Sequence, residues 1–351
     1  MKVGLDATPL LGRRTGIGRY THALLRALTA YDDELVATAF TFRGRDDLVV
    51  PAGVRVASRP APARLLQELW GRSEWPPVEL LAGRVDVFHA TNFVLPPLRR
   101  ARGVVTIHDL SYLHHPETVS AASARYRTLV PRSLQRASVV VTPSQATADA
   151  VRAAYDVRCP VVVTPLGVDP VWAAAGPPDD GLRKRLGLPS SYLLFVGTLE
   201  PRKDLRTLLA AHRLLRDAPP LVLVGPPGWG EQLDVRGCIT PGYLGDDVLP
   251  AVVAGAAALV LPSRDEGFGL PVVEALSAGT PVVASDLPVL REVGGSVTTY
   301  AAAGDPEALA AALQQVLADP GDAAARRTHG SAFSWARCAE ATRTAYSLAM
   351  E

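Results

Sequence analysis

Short apolar runs alternate with amphipathic stretches along most of the chain. Runs rich in Val, Leu and Phe predict buried strands of parallel sheets, at residues 3–5, 35–42, 54–57, 85–88, 104–107, 139–141, 192–196, 221–224, 256–261 and 281–284. Stretches with apolar residues at helical spacing follow many of them, for example 19–28, 204–215 and 272–278. This alternation predicts an α/β protein with parallel sheets.

A chain of 351 residues exceeds the usual size of one hydrophobic core, so we expect two domains. Residues 169–185 are rich in Pro, Gly and Asp and separate the two sets of strands, which is typical of a linker. The predicted domains therefore cover residues 1–168 and 186–331, and residues 332–351 form a last helix.

Composition excludes several classes of protein. Hydrophobic residues make up 48% of the chain, as in ordinary globular enzymes, and no apolar run approaches the roughly 20 residues of a membrane span. The N-terminus lacks the long apolar segment of a signal peptide. The three cysteines, Cys159, Cys238 and Cys338, fit neither a disulfide framework nor a zinc site. We therefore expect a cytoplasmic protein.

Charge is unevenly distributed along the chain. Residues 1–165 carry 21 Lys and Arg against 14 Asp and Glu, whereas the remainder carries 15 against 21. Half-chain charges of this size are often incidental. The functional alternative is a basic first domain that contacts an anionic acceptor or the inner face of a membrane. Net charge and motifs give no support for nucleic-acid binding.

Two glutamates flank a glycine-rich turn after the 256–261 strand. Residues 266–274 read EGFGLPVVE; the glycines allow a sharp turn, and Pro271 suits the start of a helix. Glu274 falls in the predicted first helical turn and points back towards the turn. N–H groups at a helix start bind anions, and carboxylates accept hydrogen bonds from hydroxyls. The segment favours a ligand with phosphate and hydroxyl groups; the alternative is a purely local role for each glutamate.

A pair of cations follows the 192–196 strand. Arg202 and Lys203 stand between this strand and a predicted helix, and Lys203 is one of only three lysines in the chain. Arginine offers bidentate contacts and lysine a point charge, so the pair suits a diphosphate. For two adjacent cations alone, exposure on the surface is the commoner explanation.

The first domain carries two weaker signals. A glycine loop with Gly16 and Gly18 joins the first strand to the first helix, a geometry that binds phosphate. It is not a dinucleotide fingerprint, because Thr21 takes the third glycine position and the second strand ends in Arg43 instead of an acid. His108 stands at the C-terminal end of a predicted strand, where open α/β sheets bind ligands.

The EGFGLPVVE segment resembles the E-x7-E signature of retaining GT-B glycosyltransferases of the GT4 family. Other landmarks of that family occur in the same order, namely TGIGRY (15–20), HD (108–109), TPS (142–144), GVD (167–169), VGTLEPRK (196–203) and GYL (242–244). The resemblance implies two Rossmann-like domains that face each other across a cleft. The first would bind the acceptor, the second would bind a nucleotide-sugar, and the last helix would cross back to the first domain.

The resemblance also implies roles for individual residues. Glu274 would bind the ribose hydroxyls, Arg202 and Lys203 the diphosphate, and Glu266 the donor sugar. Catalytic roles fall on His108, Arg202, Lys203 and Glu266, and donor-binding roles fall on Gly16, Gly18, Thr198, Glu200, Tyr243, Gly267, Phe268, Gly269, Leu270 and Glu274. Many relatives carry Arg at the position of Thr198, which puts one phosphate contact in doubt.

These roles predict a retaining hexosyltransferase without a resident cofactor. No Asp-x-Asp motif is present, so no metal is indicated, and the two cations would take its place. The TGIGRY and PLGVD segments resemble bacterial mannosyltransferases, which favours mannose from GDP-mannose and a glycan or lipid-linked acceptor. The alternatives are a UDP- or ADP-sugar donor, a GT-B sugar-nucleotide 2-epimerase, and a non-catalytic nucleotide-sugar-binding protein.

Overall fold

The computed structural model describes residues 1–12, 16–42, 48–57, 59–230 and 233–351. The chain divides into two compact units. Unit 1 comprises Met1–Leu113, Ala121–Gly167 and Trp335–Glu351, and unit 2 comprises His114–Ser120 and Val168–Ser334. The chain therefore enters unit 2 twice before its last helix returns to unit 1.

Each unit is built on one parallel sheet. The strands are β1 (Lys2–Asp6), β2 (Glu34–Thr38), β3 (Arg55–Val56), β4 (Val87–Ala90), β5 (Arg102–Thr106), β6 (Val139–Thr142), β7 (Val161–Val163), β8 (Leu193–Val196), β9 (Leu221–Val224), β10 (Ile239–Gly242), β11 (Ala258–Leu261), β12 (Val282–Ser285) and β13 (Thr299–Ala301). In the described part of unit 1 the strand order is β3-β2-β1-β4-β5-β6-β7, and in that of unit 2 it is β10-β9-β8-β11-β12-β13.

Helices connect the strands. They are α1 (Gly16–Leu28), α2 (Ala63–Trp70), α3 (Glu79–Ala82), α4 (Ser111–His114), α5 (Tyr126–Arg136), α6 (Gln145–Ala154), α7 (Pro170–Ala173), α8 (Asp180–Leu186), α9 (Leu205–Leu214), α10 (Leu249–Ala254), α11 (Leu270–Ala278), α12 (Pro288–Gly294), α13 (Pro306–Ala318), α14 (Ala323–Ser331) and α15 (Trp335–Met350). Short 3-10 helices cover Thr8–Leu10, Pro116–Thr118, Ser123–Arg125, Pro201–Lys203 and Gly295–Val297. The α/β class predicted from the hydrophobic pattern is confirmed.

The interior strands are almost completely buried, which is why their sequences are continuous apolar runs. Both β8 and β11 are buried at every position. The hydrophobic pattern did not predict β7, β10 and β13, each of which lies at the edge of its sheet. β10 and β13 are short and mostly half-buried, so few of their side chains need to be apolar. β7 consists of three valines, Val161–Val163, an apolar run that the prediction omitted.

The last helix belongs to the core of unit 1. It packs on β4, β5, β6 and β7 and on α1. Its Tyr346 hydroxyl lies 2.7 Å from Nδ1 of the fully buried His89, whose Nε2 lies 2.7 Å from Thr106 Oγ1. Residues 169–185, expected to be a linker, contain α7 and most of α8 and belong to unit 2.

Candidate functional site

The strand order of unit 2 brings two loops together. The chain continues from β8 outwards to β9 and β10 on one side of the sheet, and from β11 to β12 and β13 on the other. Ligands of open α/β sheets bind at such a switch point, beyond the carboxyl ends of the two central strands. Residues 197–204, which include Arg202 and Lys203, follow β8, and residues 262–269, which include Glu266, follow β11. Both segments therefore lie at the switch point.

The two cations after β8 pair with the first glutamate of the EGFGLPVVE segment. Lys203 Nζ lies 2.6 Å from Glu266 Oε1, and Arg202 Nη1 lies 3.2 Å from Glu266 Oε2. Ser263 donates a hydrogen bond of 2.6 Å to Glu266 Oε1. On its other side Arg202 Nη2 lies 2.9 Å from Glu200 Oε1. Glu200, Arg202, Lys203 and Glu266 thus form one cluster, which we call the loop cluster.

Each charge in the loop cluster has a partner of opposite sign. The side chains of Glu266, Lys203 and Arg202 are 6%, 10% and 17% exposed. Burial alone would raise the pKa of Glu266, but the charges of Lys203 and Arg202 and hydrogen bonds from Lys203 and Ser263 outweigh burial and lower this pKa to about 2. Glu266 is therefore an anion at neutral pH, and it holds both cations in fixed positions.

Backbone contacts fix the loop that carries the cations. Arg202 Nη1 donates to the Asp265 carbonyl at 2.7 Å, and the Arg264 N–H donates to the Arg202 carbonyl at 2.9 Å. Asp204 adopts a left-handed conformation at φ 47° and caps α9 through Thr207. Such a conformation is costly for a residue other than glycine. The cap, together with the 2.9 Å ion pair from Arg264 to Asp204, holds the end of the cation loop.

A glycine-rich segment that sequence analysis did not single out supports the same loop. A Cβ on Gly225 would lie 1.9 Å from the Gly197 carbonyl oxygen, and one on Gly228 would lie 2.3 Å from the Leu199 carbonyl oxygen. Leu199 donates its N–H to the Pro226 carbonyl at 3.2 Å. The GPPGWG sequence at 225–230 was the available signal, because clustered Gly and Pro mark a close approach of backbones.

The second glutamate lies on α11. Gly269 caps this helix in a left-handed conformation, and Gly279 ends it in another, as the glycine positions predicted. Glu274 is buried, with 3% exposure. The prediction that it stands in the first turn is wrong, because α11 begins at Leu270 and Glu274 is its fifth residue. Burial of a carboxylate requires polar partners, and Glu274 is not without an interaction partner.

The remaining residues predicted in unit 2 lie on loops at the same edge of the sheet. Thr198 is half-buried after β8, and its carbonyl accepts a hydrogen bond from Glu200 at 2.9 Å. Gly267 and Phe268 are buried in the turn before α11. Tyr243 directly follows β10 and is 42% exposed. Because β10 is the outermost strand of the sheet, Tyr243 lies to the side of the loop cluster, which follows the central strands β8 and β11.

His108 lies in unit 1, after β5. Its Nε2 lies 2.8 Å from the Thr91 carbonyl oxygen, which can only accept, so Nε2 carries the proton. Burial lowers the pKa of His108 and outweighs the opposing effects of the Thr91 hydrogen bond and the Asp109 charge. The ring is therefore neutral near pH 7, with Nδ1 as its acceptor. Tyr20 and Phe93 contact it edge-on, with ring centroids 5.1 and 5.6 Å away.

The prediction of a glycine loop before the first helix is wrong at Gly16 and Gly18. Helix α1 already begins at Gly16, and Gly18 is buried within its first turn. Burial of seven residues of this helix, including Tyr20 and Leu24, outweighs the low helix propensity of two glycines. Residues 13–15, which include the first position of the TGIGRY motif, lie outside the described residues.

Two further features of the described residues concern metal ions and membranes. Within the described ranges, no group of three or more His, Cys, Asp or Glu side chains is arranged to hold a metal ion. Among the helices described, none combines the length and the hydropathy that crossing a membrane demands.

Comparisons with known proteins identify the family. Residues 190–319 match the family described as glycosyl transferases group 1, and residues 14–172 match glycosyltransferase family 4. The chain is 34% identical over 283 residues to O-antigen chain mannosyltransferase B of Escherichia coli, which covers 75% of this chain and 74% of the relative. It is 30% identical to a glycogen synthase of Mycobacterium tuberculosis, with 94% of this chain and 90% of the relative covered.

A solved structure gives the fold. Sucrose-phosphate synthase from Thermosynechococcus elongatus superposes with a TM-score of 0.78 at 20% identity and covers 99% of this chain and 98% of its own. The two parallel-sheet domains are therefore those of the GT-B fold. The chain belongs to glycosyltransferase family 4 and is a glycosyltransferase.

Proposed function

We propose that this enzyme transfers mannose from GDP-mannose to a glycan or lipid-linked acceptor, with retention of configuration and without a metal ion. The observation that carries the proposal is the loop cluster, in which Arg202 and Lys203 are fixed at the switch point of unit 2. The similarity to an O-antigen mannosyltransferase over three quarters of the chain supports mannose as the sugar.

The loop cluster suits a leaving group whose charge increases during the reaction. When the bond between the sugar and the diphosphate breaks, negative charge develops on the phosphate oxygens. Cations that are already oriented stabilise that charge without reorganisation, which is the largest catalytic contribution expected here. Glu266 and Glu200 orient Lys203 and Arg202 before the donor binds. A diphosphate bound at this switch point would lie beside two fixed positive charges.

The buried Glu274 suits the nucleoside end of the donor. A carboxylate accepts hydrogen bonds from two adjacent hydroxyls, as in a ribose ring. Its position on α11, one turn after the Gly269 cap, places it beside the helix start, where the dipole favours the anionic diphosphate. Phe268, Gly269 and Leu270 would offer backbone N–H groups to the sugar.

The similarity to a glycogen synthase favours a second class of donors, the UDP- and ADP-sugars. The similarity to a glycogen synthase extends over 94% of the chain at 30% identity, a longer match than that to the mannosyltransferase. UDP- and ADP-sugars are therefore the second candidates, with the same residues in the same roles.

The test is ligand-induced thermal stabilisation. The full-length protein is melted in EDTA with GDP, UDP or ADP, and with GDP-mannose, UDP-glucose or ADP-glucose. A nucleotide at 100 times its dissociation constant adds about 2.7 kcal/mol to the free energy of unfolding. We expect the GDP compounds to give the largest shift, and Glu274→Ala to remove it, whereas the exposed control Glu307→Ala retains it.

The same experiment can contradict the proposal in two ways. A larger shift with UDP or ADP compounds would transfer the donor assignment to the second candidates. A shift that requires Mg²⁺ in place of EDTA would overturn metal independence. Release of GDP from GDP-mannose, assayed with and without an O-antigen-type glycan, then separates a transferase from an epimerase or a binding protein.

A further inference from the structure

Arg202 is engaged on both edges of its guanidinium. On one edge, Nε and Nη2 lie 3.1 and 2.9 Å from the same oxygen, Oε1 of Glu200. On the other edge, Nη1 donates to the Asp265 carbonyl at 2.7 Å and to Glu266 Oε2 at 3.2 Å. A phosphate group that binds either edge through two hydrogen bonds therefore has to replace a present partner of Arg202.

The two glutamates that pair with Arg202 differ in how firmly they are held. Besides Arg202, Glu266 accepts from Lys203 and from Ser263, each at 2.6 Å. Within the described residues, the carboxylate of Glu200 has no partner other than Arg202. Displacing Glu266 would break the contacts of three side chains, whereas displacing Glu200 would break the contacts of one. Glu200 is therefore the partner that a ligand can replace more easily.

The backbone of Glu200 is fixed independently of its carboxylate. Its N–H donates to the Thr198 carbonyl at 2.9 Å, and its own carbonyl accepts from the Lys203 N–H at 3.0 Å. The residue is extended, with φ −114° and ψ 155°. Rotation about the side-chain bonds of Glu200 is therefore enough to move the carboxylate away from Arg202, and the loop that carries the two cations can stay in place.

The charge balance of the loop cluster favours the same exchange. Arg202 and Lys203 contribute two positive charges, and Glu200 and Glu266 contribute two negative charges, so the cluster is neutral as a whole. A diphosphate beside a neutral and largely buried cluster would lack a counter-charge, which is costly.

Rotation of Glu200 into water would change both the charge and the geometry of the cluster. The remaining three side chains would carry a net positive charge, which an anionic ligand can neutralise. The Nε and Nη2 edge of Arg202, now occupied by Glu200, would become available. This edge of a guanidinium matches the spacing of two phosphate oxygens.

We propose that Glu200 is an exchangeable anion, which occupies the Nε and Nη2 edge of Arg202 in the ligand-free enzyme and is displaced from it by a phosphate group of the donor. This inference rests on the proposed binding of the donor diphosphate at the loop cluster. Glu200 orients Arg202 before the donor binds and, by returning, promotes release of the nucleoside diphosphate product. Because binding has to break the pair of Glu200 and Arg202, the pair lowers the apparent affinity for the nucleotide.

The test is the sign of the change in nucleotide affinity when the charge of Glu200 is removed. Isothermal titration calorimetry of the full-length protein in EDTA measures the dissociation constants of GDP, UDP and ADP. We expect Glu200→Gln to bind its nucleotide about tenfold more tightly than the wild type, because a neutral amide holds Arg202 less strongly than a carboxylate does. Displacement followed by stopped flow should show slower release. Glu200→Ala should change affinity in the same direction and replaces Glu200→Gln if that variant does not fold.

Two control variants separate exchange from a general effect of charge. Asp204 lies in the same loop but pairs with Arg264, at 2.9 Å, and asparagine at this position still caps α9 and tolerates the left-handed conformation. Asp204→Asn therefore removes a nearby negative charge and leaves the partners of Arg202 unchanged. We expect it to give much less gain in affinity than Glu200→Gln, and the exposed Glu307→Gln to give none. Equal gains in Asp204→Asn and Glu200→Gln would overturn the exchange.

The remaining outcomes distinguish this inference from the proposed function. Weaker or unchanged nucleotide binding in Glu200→Gln, with binding intact in the wild type, would overturn the exchange, because Glu200 would then only orient Arg202 or contact the donor itself. A gain of the same size with the matching nucleoside, which lacks phosphate, would overturn it as well. Failure of the wild type to bind any of the three nucleotides would contradict the proposed function.

Discussion

Lys203 Nζ lies 2.6 Å from Glu266 Oε1, although 63 residues separate the two in the chain. The contact exists because β8 and β11 are neighbours in the sheet, so the loops that follow them meet. Glu266 also accepts from Arg202, and one carboxylate therefore positions both cations. In the proposed reaction Glu266 has a second role besides contact with the sugar, because it orients the groups that would bind the diphosphate.

Glu266→Gln should lower both activity and stability. The amide keeps the shape of the side chain but removes the charge that pairs with Lys203 and Arg202. We expect kcat/KM for sugar transfer to fall about 100-fold, as when one oriented charge-stabilising group is lost. Removing one partner of a buried ion pair costs about 3 kcal/mol of the free energy of unfolding. Urea unfolding and initial rates measure the two effects, and the exposed Glu307→Gln is the matched control. Wild-type rates in Glu266→Gln would contradict the assignment.

The stability of the protein should depend on pH through two carboxyl groups of opposite behaviour. The pKa of Glu266 falls from its ordinary 4.5 to about 2 in the folded protein. The unfolded chain therefore binds more protons between these values, and the stabilisation is complete above pH 4.5 and is lost as the pH falls towards 2. The pKa of Asp6 rises from 3.8 to about 6 on folding. The folded chain then binds more protons, and stability decreases as the pH rises from about 4 to 6.

Melting temperatures measured between pH 3 and pH 7 check both directions. Glu266→Gln should flatten the decline below pH 4.5. Asp6→Asn should remove the decrease in melting temperature between pH 4 and pH 6. The decline below pH 4.5 should remain as in the wild type. Identical profiles for the wild type and either variant would show that the corresponding group does not titrate as its surroundings imply.

Gly225→Ala should displace the loop at residues 197–204, which carries Arg202 and Lys203. The added Cβ would lie 1.9 Å from the Gly197 carbonyl oxygen, and backbone cannot move away as a side chain can. Overpacking of this kind costs about 1–3 kcal/mol, and the shift would reach Arg202 through the 197–201 segment. We expect a lower melting temperature together with weaker nucleotide binding. Gly176→Ala, where a Cβ has open space, is the control, and equal behaviour of the two variants would exclude the proposed support.

The interior of the fold could be predicted from the sequence because the signal there is local. A strand buried on both faces must be apolar throughout, as in β11, and the Gly269 and Gly279 caps of α11 follow from conformations that favour glycine. Edge strands such as β10 and β13 have one side free of the sheet, so their composition is less constrained. The start of α1 at Gly16 depended on burial of the helix, which outweighs its glycines.

The candidate site could be predicted as a set of residues but not as an arrangement. The sequence indicates Arg202, Lys203 and Glu266 separately, whereas their pairing requires the strand order. The contact between Gly225 and Gly197 likewise depends on two loops that are close only after folding. Interactions between distant segments account for what the sequence did not predict.

Tyr346→Phe should loosen unit 1 through a single hydrogen bond. The hydroxyl contacts Nδ1 of His89 at 2.7 Å, and burial lowers the pKa of this histidine to about 3, so the ring stays neutral and needs a neutral partner. Removing the hydroxyl leaves one buried ring nitrogen without its bond, at a cost of about 1–3 kcal/mol. Hydrogen exchange followed by mass spectrometry should show faster exchange in β4, β5 and α15 and no change in unit 2. Tyr31→Phe, whose ring lies 4.2 Å from the Arg343 guanidinium, is the control and should exchange like the wild type. Wild-type exchange in Tyr346→Phe would mean that apolar packing alone holds the last helix.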